Sequence, residues 1–140
     1  ALDLFGRKVV KDDGAAMFAL LDEIDAAASD CKHHIGSATL NAVKRIRELT
    51  NDLLTKTGSD PHAINASAVD YLHATGYLCY AYMYVLIVKA SAGKDGEFYA
   101  ERQKLATYFT ARILPKLYAH ADMAQAGSSA IMAFDNEFFA

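Results

Sequence analysis

The stretch Gly58-Ser-Asp-Pro61, followed by an almost charge-free run that includes Tyr71-Leu-His-Ala-Thr-Gly-Tyr-Leu-Cys-Tyr-Ala-Tyr-Met-Tyr-Val-Leu-Ile-Val88, decides the fold. Gly58 suits the left-handed position that ends one helix. Asp60 suits the N-cap of the next, and Pro61 its first turn, where the missing N–H costs nothing. From Pro61 no breaker other than Gly76 intervenes before Lys89, which predicts a helix over 61–91. At ~1.5 Å per residue it is roughly 45 Å long. Between Tyr71 and Val88 it is apolar on nearly every side, so neighbours must cover it from several directions. The uncharged run 74–88 falls short of the ~20 residues of a membrane span and carries four tyrosines, which favours a central buried helix.

Working outward, punctuation divides the rest of the chain. Asp12, Asp13 and Gly14 form a turn or cap before a helix over 15–30, with Met17, Leu20, Leu21 and Ile24 on one face. Gly36 and Ser37 read as a break and a fresh N-cap, opening a helix over 37–57. Its stripe is Leu40, Val43, Ile46, Leu49, Leu53 and Leu54, with Lys44, Arg45, Glu48 and Asp52 opposite, so it reads as an amphipathic surface helix. A polar turn precedes a last long helix over 97–126, with Phe98, Leu105, Phe109, Ile113 and Leu117 as its core stripe and Pro115 kinking it. Gly127 ends that helix, Ser128 caps a short final turn, and 128–140 forms a tail. Residues 1–10 read as a connecting segment with apolar Leu2, Leu4 and Phe5. Strand patterns are nearly absent. The expectation is one all-α domain over 1–140, an up-down bundle of four main helices.

Composition narrows the function classes. With 53% apolar and 22% charged residues the chain is globular rather than disordered. The net charge of −3 comes with scattered cations, and the densest spot, Lys44-Arg45-Ile-Arg47, has Glu48 and Asp52 beside it, so no nucleic-acid footprint exists. Cys31 and Cys79, without metal spacing or a secretory leader, read as reduced core thiols of a cytoplasmic protein.

Candidate chemistry is thin. Asp-x-x-His occurs as Asp30/His33 and Asp70/His73, a spacing that di-metal bundles use. Those sites prefer Glu and need further carboxylates, so short surface Asp–His contacts within each pair are the expectation, and no metal. His33-His34 invites comparison with histidine phosphotransfer bundles. However, no Lys follows either His at the expected place, and Gly36-Ser37 interrupts the helix that would present the imidazole. Tyr71, Tyr77, Tyr80, Tyr82 and Tyr84 read as core and interface aromatics rather than a cofactor box. No phosphate loop or nucleophile motif appears, and no catalytic, cofactor-binding or metal residue is assigned.

Several segments together carry a resemblance: Leu2-Asp-Leu-Phe-Gly-Arg-Lys8, Asn65-Ala-x-x-x-Asp-Tyr-Leu72, Leu105-Ala-Thr-Tyr-Phe109 with Leu114-Pro115, and Ala126-Gly-Ser-Ser-Ala-Ile-Met-Ala-Phe134 with Asn136-Glu-x-Phe138. In order and spacing they resemble the C-terminal helical region of the large acyl-CoA dehydrogenases. The resemblance implies a parent enzyme of fatty acid metabolism that uses FAD to convert an acyl-CoA to the 2-enoyl-CoA. It places the catalytic glutamate just upstream of Ala1, so this segment is expected to be an accessory domain without catalytic residues. Its partners would be the rest of the parent chain and further copies in a homo-oligomer, with no nucleic acid and no membrane. Phe5, where relatives have a smaller aliphatic, and the tyrosine-rich helix leave the acyl substrate open. The alternative is a freestanding binding or signalling module such as a phosphotransfer bundle. Leu2, Leu4, Phe5, the all-round apolar helix and the Phe-rich tail are more apolar surface than a lone domain buries, which predicts dimerisation when the chain is isolated.

Overall fold

A computed structural model describes residues 1–134. Its elements are a seven-residue π-helical segment (Asp3–Val9), α1 (Ala15–Ser29), α2 (His34–Thr57), α3 (Ala63–Ser91), α4 (Glu97–Arg112), α5 (Pro115–Gln125) and the single turn α6 (Ser129–Met132). The described residues contain no strand, so the all-α bundle expected from the sequence is observed. The expectation for Asn136–Phe138 lies outside the described residues.

The long apolar helix α3 is the axis of the molecule. It packs on α1, α2, α4, α5 and the N-terminal segment. Its inner positions Tyr71, Ala74, Leu78, Ala81, Val85 and Val88 recur at helical spacing and are buried. They meet Leu21 and Ile24 of α1 and Val43, Ile46, Leu49 and Leu53 of α2 in one core.

Residues 1–10 are more than a connector. The segment Asp3–Val9 coils into a π-helix that buries Phe5 and Val9, while Leu2 stays exposed. The Phe5 ring sits 4.8 Å from that of Tyr71, so the start of the chain seals one side of α3.

Two helix starts differ from the sequence reading, each for a local reason. α2 begins at His34, not Ser37, because the side chain of His33 supplies the cap: its Nδ1 accepts from the Ile35 N–H at 3.2 Å. Gly36 lies inside the first turn of that helix. A Cβ there would come within 2.6 Å of the Cys31 carbonyl oxygen and 3.0 Å of that of Ala28, so the glycine is set by close backbone approach rather than by a helix break. Gly58 is right-handed, with φ −76°, and the following turn is held instead by Asp60, whose Oδ1 accepts from the His62 N–H at 2.9 Å. That pushes the start of α3 to Ala63.

The expected kink at Pro115 is a full break. The carbonyl of Phe109 accepts from both Ile113 and Leu114 N–H at 2.9 Å, the second being an i+5 bond, and Pro115 starts α5 as its first residue. The inward positions shift with that bond. They run Ala106, Phe109, Leu114, Leu117, Ala121 and Ala124, with a five-residue step where the ladder widens. The predicted stripe is corrected accordingly: Phe109 and Leu117 are buried, Ile113 is half-buried, and Phe98 and Leu105 are exposed.

The closing turn is corrected too. Ser128 does not cap α6; its hydroxyl donates to Asp60 Oδ2 at 2.7 Å, tying the tail to the α2–α3 turn.

Alanine is the better helix former, yet Gly36→Ala is expected to destabilise the chain by ~1–3 kcal/mol, because two backbone carbonyls must move. Urea unfolding measures this, and an unchanged or raised midpoint would contradict the close approach.

Candidate functional site

Three polar constellations lie on the bundle. The first is internal. Thr50 donates its hydroxyl proton to the Ile46 carbonyl at 2.8 Å, which leaves Tyr71 as the donor in the 2.8 Å bond between the two hydroxyls. Both residues are fully buried, and burial raises the Tyr71 phenol to about 12, with the Thr50 bond opposing that shift. This pair satisfies a phenol that α3 would otherwise bury unpaired.

The second lies between α3 and α5. His120 Nδ1 is 2.8 Å from Asp70 Oδ1, and the two side chains are about three-quarters buried. His73 and Tyr77 both stack on the His120 ring, at 4.9 Å and 5.8 Å. The sequence pairing is therefore corrected: Asp70 takes its histidine from α5, fifty residues on, while His73 offers a ring face. An imidazole held by a carboxylate at one atom and stacked rings on its face is fixed in orientation, and here it clamps two helices.

The third occupies the end of the bundle where the α1–α2 link meets the C-terminus of α3. Lys89 Nζ pairs with Asp30 and donates to the Ala27 carbonyl at 3.1 Å, closing the end of α1. Asp30 is held below its ordinary carboxylate value chiefly by that Lys89 bond. Asp30 thus takes its partner from α3, and the contact with His33 expected from the sequence is corrected. With Cys31, Lys32, Val88 and Gln103 they line an open cleft of about 540 Å³. Thr107 donates to the Gln103 carbonyl at 3.0 Å, so His33 Nε2, 3.3 Å from the Thr107 hydroxyl, carries the proton and Nδ1 remains the capping acceptor. Burial, then the neighbouring His34 charge, lowers the His33 pKa.

The residues weighed from the sequence are thus dispersed among helix ties. Among the described residues no group of three or more His, Cys, Asp or Glu side chains is placed to hold a metal. Cys31 and Cys79 are free and half-buried, with burial raising the Cys79 thiol. Two cations of the basic spot on α2 tie it to its neighbours: Arg45 reaches Asp122 at 2.7 Å and Gln125 at 2.8 Å on α5, and Arg47 reaches Asp22 of α1 at 2.6 Å, while Lys44 stays exposed. His34 is exposed at the first residue of α2, not at mid-helix, with its ring tilted against that of His33 at 4.1 Å. Of the tyrosines, Tyr84 packs on Phe109 at 4.7 Å and Tyr82 donates to Glu23 at 2.7 Å, whereas Tyr80 stands in the open. Sequence reading missed the partners of Asp70, Asp60 and Arg45. Each lies fifty or more residues away, and no local spacing signals it.

The fold and its ties define a helical bundle domain whose polar groups serve mainly to lock one helix to the next. A family model described as "Acetyl-CoA dehydrogenase C-terminal like" matches residues 20–135, and the chain belongs to that family. No curated protein and no solved structure matches. No helix among the described residues is long and apolar enough to cross a membrane.

Two outcomes check the site. Burial in the fold disfavours the charged form of His33, so its pKa lies below the ordinary 6.5 at which the unfolded chain takes up a proton. The cap's contribution is therefore complete above that value and falls as pH drops through the lower folded value. His33→Asn keeps an acceptor without titrating, so it should flatten the loss of stability between pH 7.5 and 5.5, about 1 kcal/mol for a lost cap. Equal losses in both proteins would refute the capping role. Tyr71 has the opposite sign: its contribution is complete below the ordinary 10.0 and is lost as pH rises through about 12. Tyr71→Phe should cost ~1 kcal/mol at neutral pH and remove that part of the alkaline transition, read by urea unfolding from pH 8 to 11.5.

Proposed function

We propose that the chain is the accessory bundle of an FAD-dependent acyl-CoA dehydrogenase, whose parent reaction converts an acyl-CoA to the 2-enoyl-CoA. FAD and the catalytic carboxylate would belong to the remainder of the parent chain, and this segment would contribute no catalytic residue. The observation that carries the reading is the family match over residues 20–135. The dispersal of the polar groups into helix ties supports it, because a bundle built this way holds a shape rather than assembling reacting groups. On this reading the domain packs on the dehydrogenase body in a cytoplasmic homo-oligomer. The residues that would hold FAD are not assigned to this chain.

The test is the absorbance of the full-length gene product. A yellow protein bleached anaerobically by an acyl-CoA is expected. A colourless product of about 140 residues that no acyl-CoA perturbs would overturn the reading. Chain length of the acyl group is read from the rate of bleaching across a series.

A further inference from the structure

Among the described residues the ion pairs lie on the N-terminal segment, α1, α2, α3 and α5, and none involves α4 or the turn before it. Cations are nevertheless dense there. Although the chain as a whole carries −3, Arg102, Lys104, Arg112 and Lys116 follow one another over 102–121 without an Asp or Glu among them. α4 therefore presents positive charge without a carboxylate partner, in contrast to α2, whose Arg45 and Arg47 are engaged by α5 and α1.

These cations alternate with exposed apolar side chains. Phe98, Leu105 and Tyr108 are 59%, 42% and 60% exposed, and with Arg102 and Arg112 they recur every three or four residues along one face. At ~1.5 Å per residue that face is roughly 20 Å long. At its start two cations are seated on rings: the Arg102 guanidinium lies 4.3 Å from the centre of the Phe98 ring, and the Lys94 ammonium 5.2 Å from that of Tyr99. A guanidinium stacked by its face keeps its N–H edge free, and that edge takes a carboxylate bidentately. Ile87, Lys94, Phe98, Tyr99 and Arg102 line an open groove of about 340 Å³ here, so an apolar wall and two cations stand side by side.

The composition of the face selects its occupant. A small anion would leave the rings uncovered, and a purely apolar surface would desolvate the cations without pairing them. A flat anionic surface would also press on Glu97 and Glu101, which are exposed on the same helix, whereas separate side chains can pass between them. We propose that this face of α4 docks an acidic, amphipathic segment of a partner protein, with carboxylates at Arg102 and Arg112 and apolar side chains over Phe98, Leu105 and Tyr108. Arg102 is already held on Phe98, so little side-chain freedom is lost when the carboxylate arrives. Opposite charge also steers the encounter, which makes the contact weaken as salt rises.

The test is fluorescence anisotropy of a labelled peptide, four repeats of Glu-Leu-Glu-Phe, titrated with the full-length gene product. Saturable binding with a dissociation constant of about 100 μM or tighter is expected, weakening at least ~fivefold from about 50 to about 500 mM salt. The same peptide with Gln at every Glu should not bind. Arg102→Glu with Arg112→Glu should weaken binding at least ~tenfold, whereas Lys11→Glu with Lys44→Glu, an equal change of charge away from α4, should leave it unchanged. Leu105→Ser should weaken it too, through the lost apolar contact. Should the double reversal not fold, as judged by circular dichroism, Arg102→Gln with Arg112→Gln takes its place. No saturable binding below about 1 mM, equal binding of the Gln peptide, or an equal loss in the Lys11/Lys44 variant would overturn the proposal. So would co-sedimentation with phosphatidylserine–phosphatidylcholine vesicles that is tighter than peptide binding and abolished by the same reversals, since the face then meets a lipid surface. The readout needs no flavin, so a colourless protein that binds the peptide through Arg102 sinks the dehydrogenase reading and leaves this contact standing.

Discussion

A long helix without a polar face has to be surrounded, and the rest of the chain is arranged to surround α3. The N-terminal segment, α1, α2, α4 and α5 all touch it, and the largest side chain in the core, Tyr71, belongs to it. Tyr71 also shows the limit of a purely apolar solution. Its hydroxyl is buried and must be paired, so α2 carries Thr50 at the matching height. Phe5 then closes the remaining side of the ring. Packing and hydrogen bonding are thus satisfied at one place by three separate segments, which fixes how the N-terminal segment, α2 and α3 sit together.

Around that core the charged residues form a second layer that acts between helices. Arg45, Arg47, Lys56 and Lys89 each reach a neighbouring element, with Lys56 donating to the Gln125 carbonyl at 2.9 Å at the end of α5. Exposed ion pairs are individually worth little. Lys56 and Lys89 also close helix ends, where orphan carbonyls need donors, so their geometric role outweighs their Coulomb energy. This is why the polar groups of this bundle are numerous and yet do not converge.

The helices were legible because their signals are local. The stripe from Val43 to Leu53 and the buried spacing of α3 follow from periodicity alone, and Asp60 announced its turn. What sequence reading misplaced were decisions made by contacts. Gly36 resembles a breaker until the carbonyls of Cys31 and Ala28 are seen against it. Ser128 resembles a cap until Asp60 is seen across the fold. Asp70 and His73 share a helix spacing, but α5 delivers His120 to the carboxylate first. The family likeness was readable from ordered fragments of sequence, whereas the side of α3 left exposed at Tyr80 was not. Periodicity shows that a helix is apolar all round, but not which part its own chain leaves uncovered.

The widened turn before Pro115 gives the last third of the chain two independent rotational settings. A single continuous helix would bind the orientation of its first half to that of its second, so that any inserted residue rotated everything downstream. With the register reset at Phe109, α4 and α5 can each present their own face to their own neighbours. The break thus works as a firewall: a change of register on the exposed side of α4 stops at Phe109 and leaves the seam that α5 makes with α3 undisturbed.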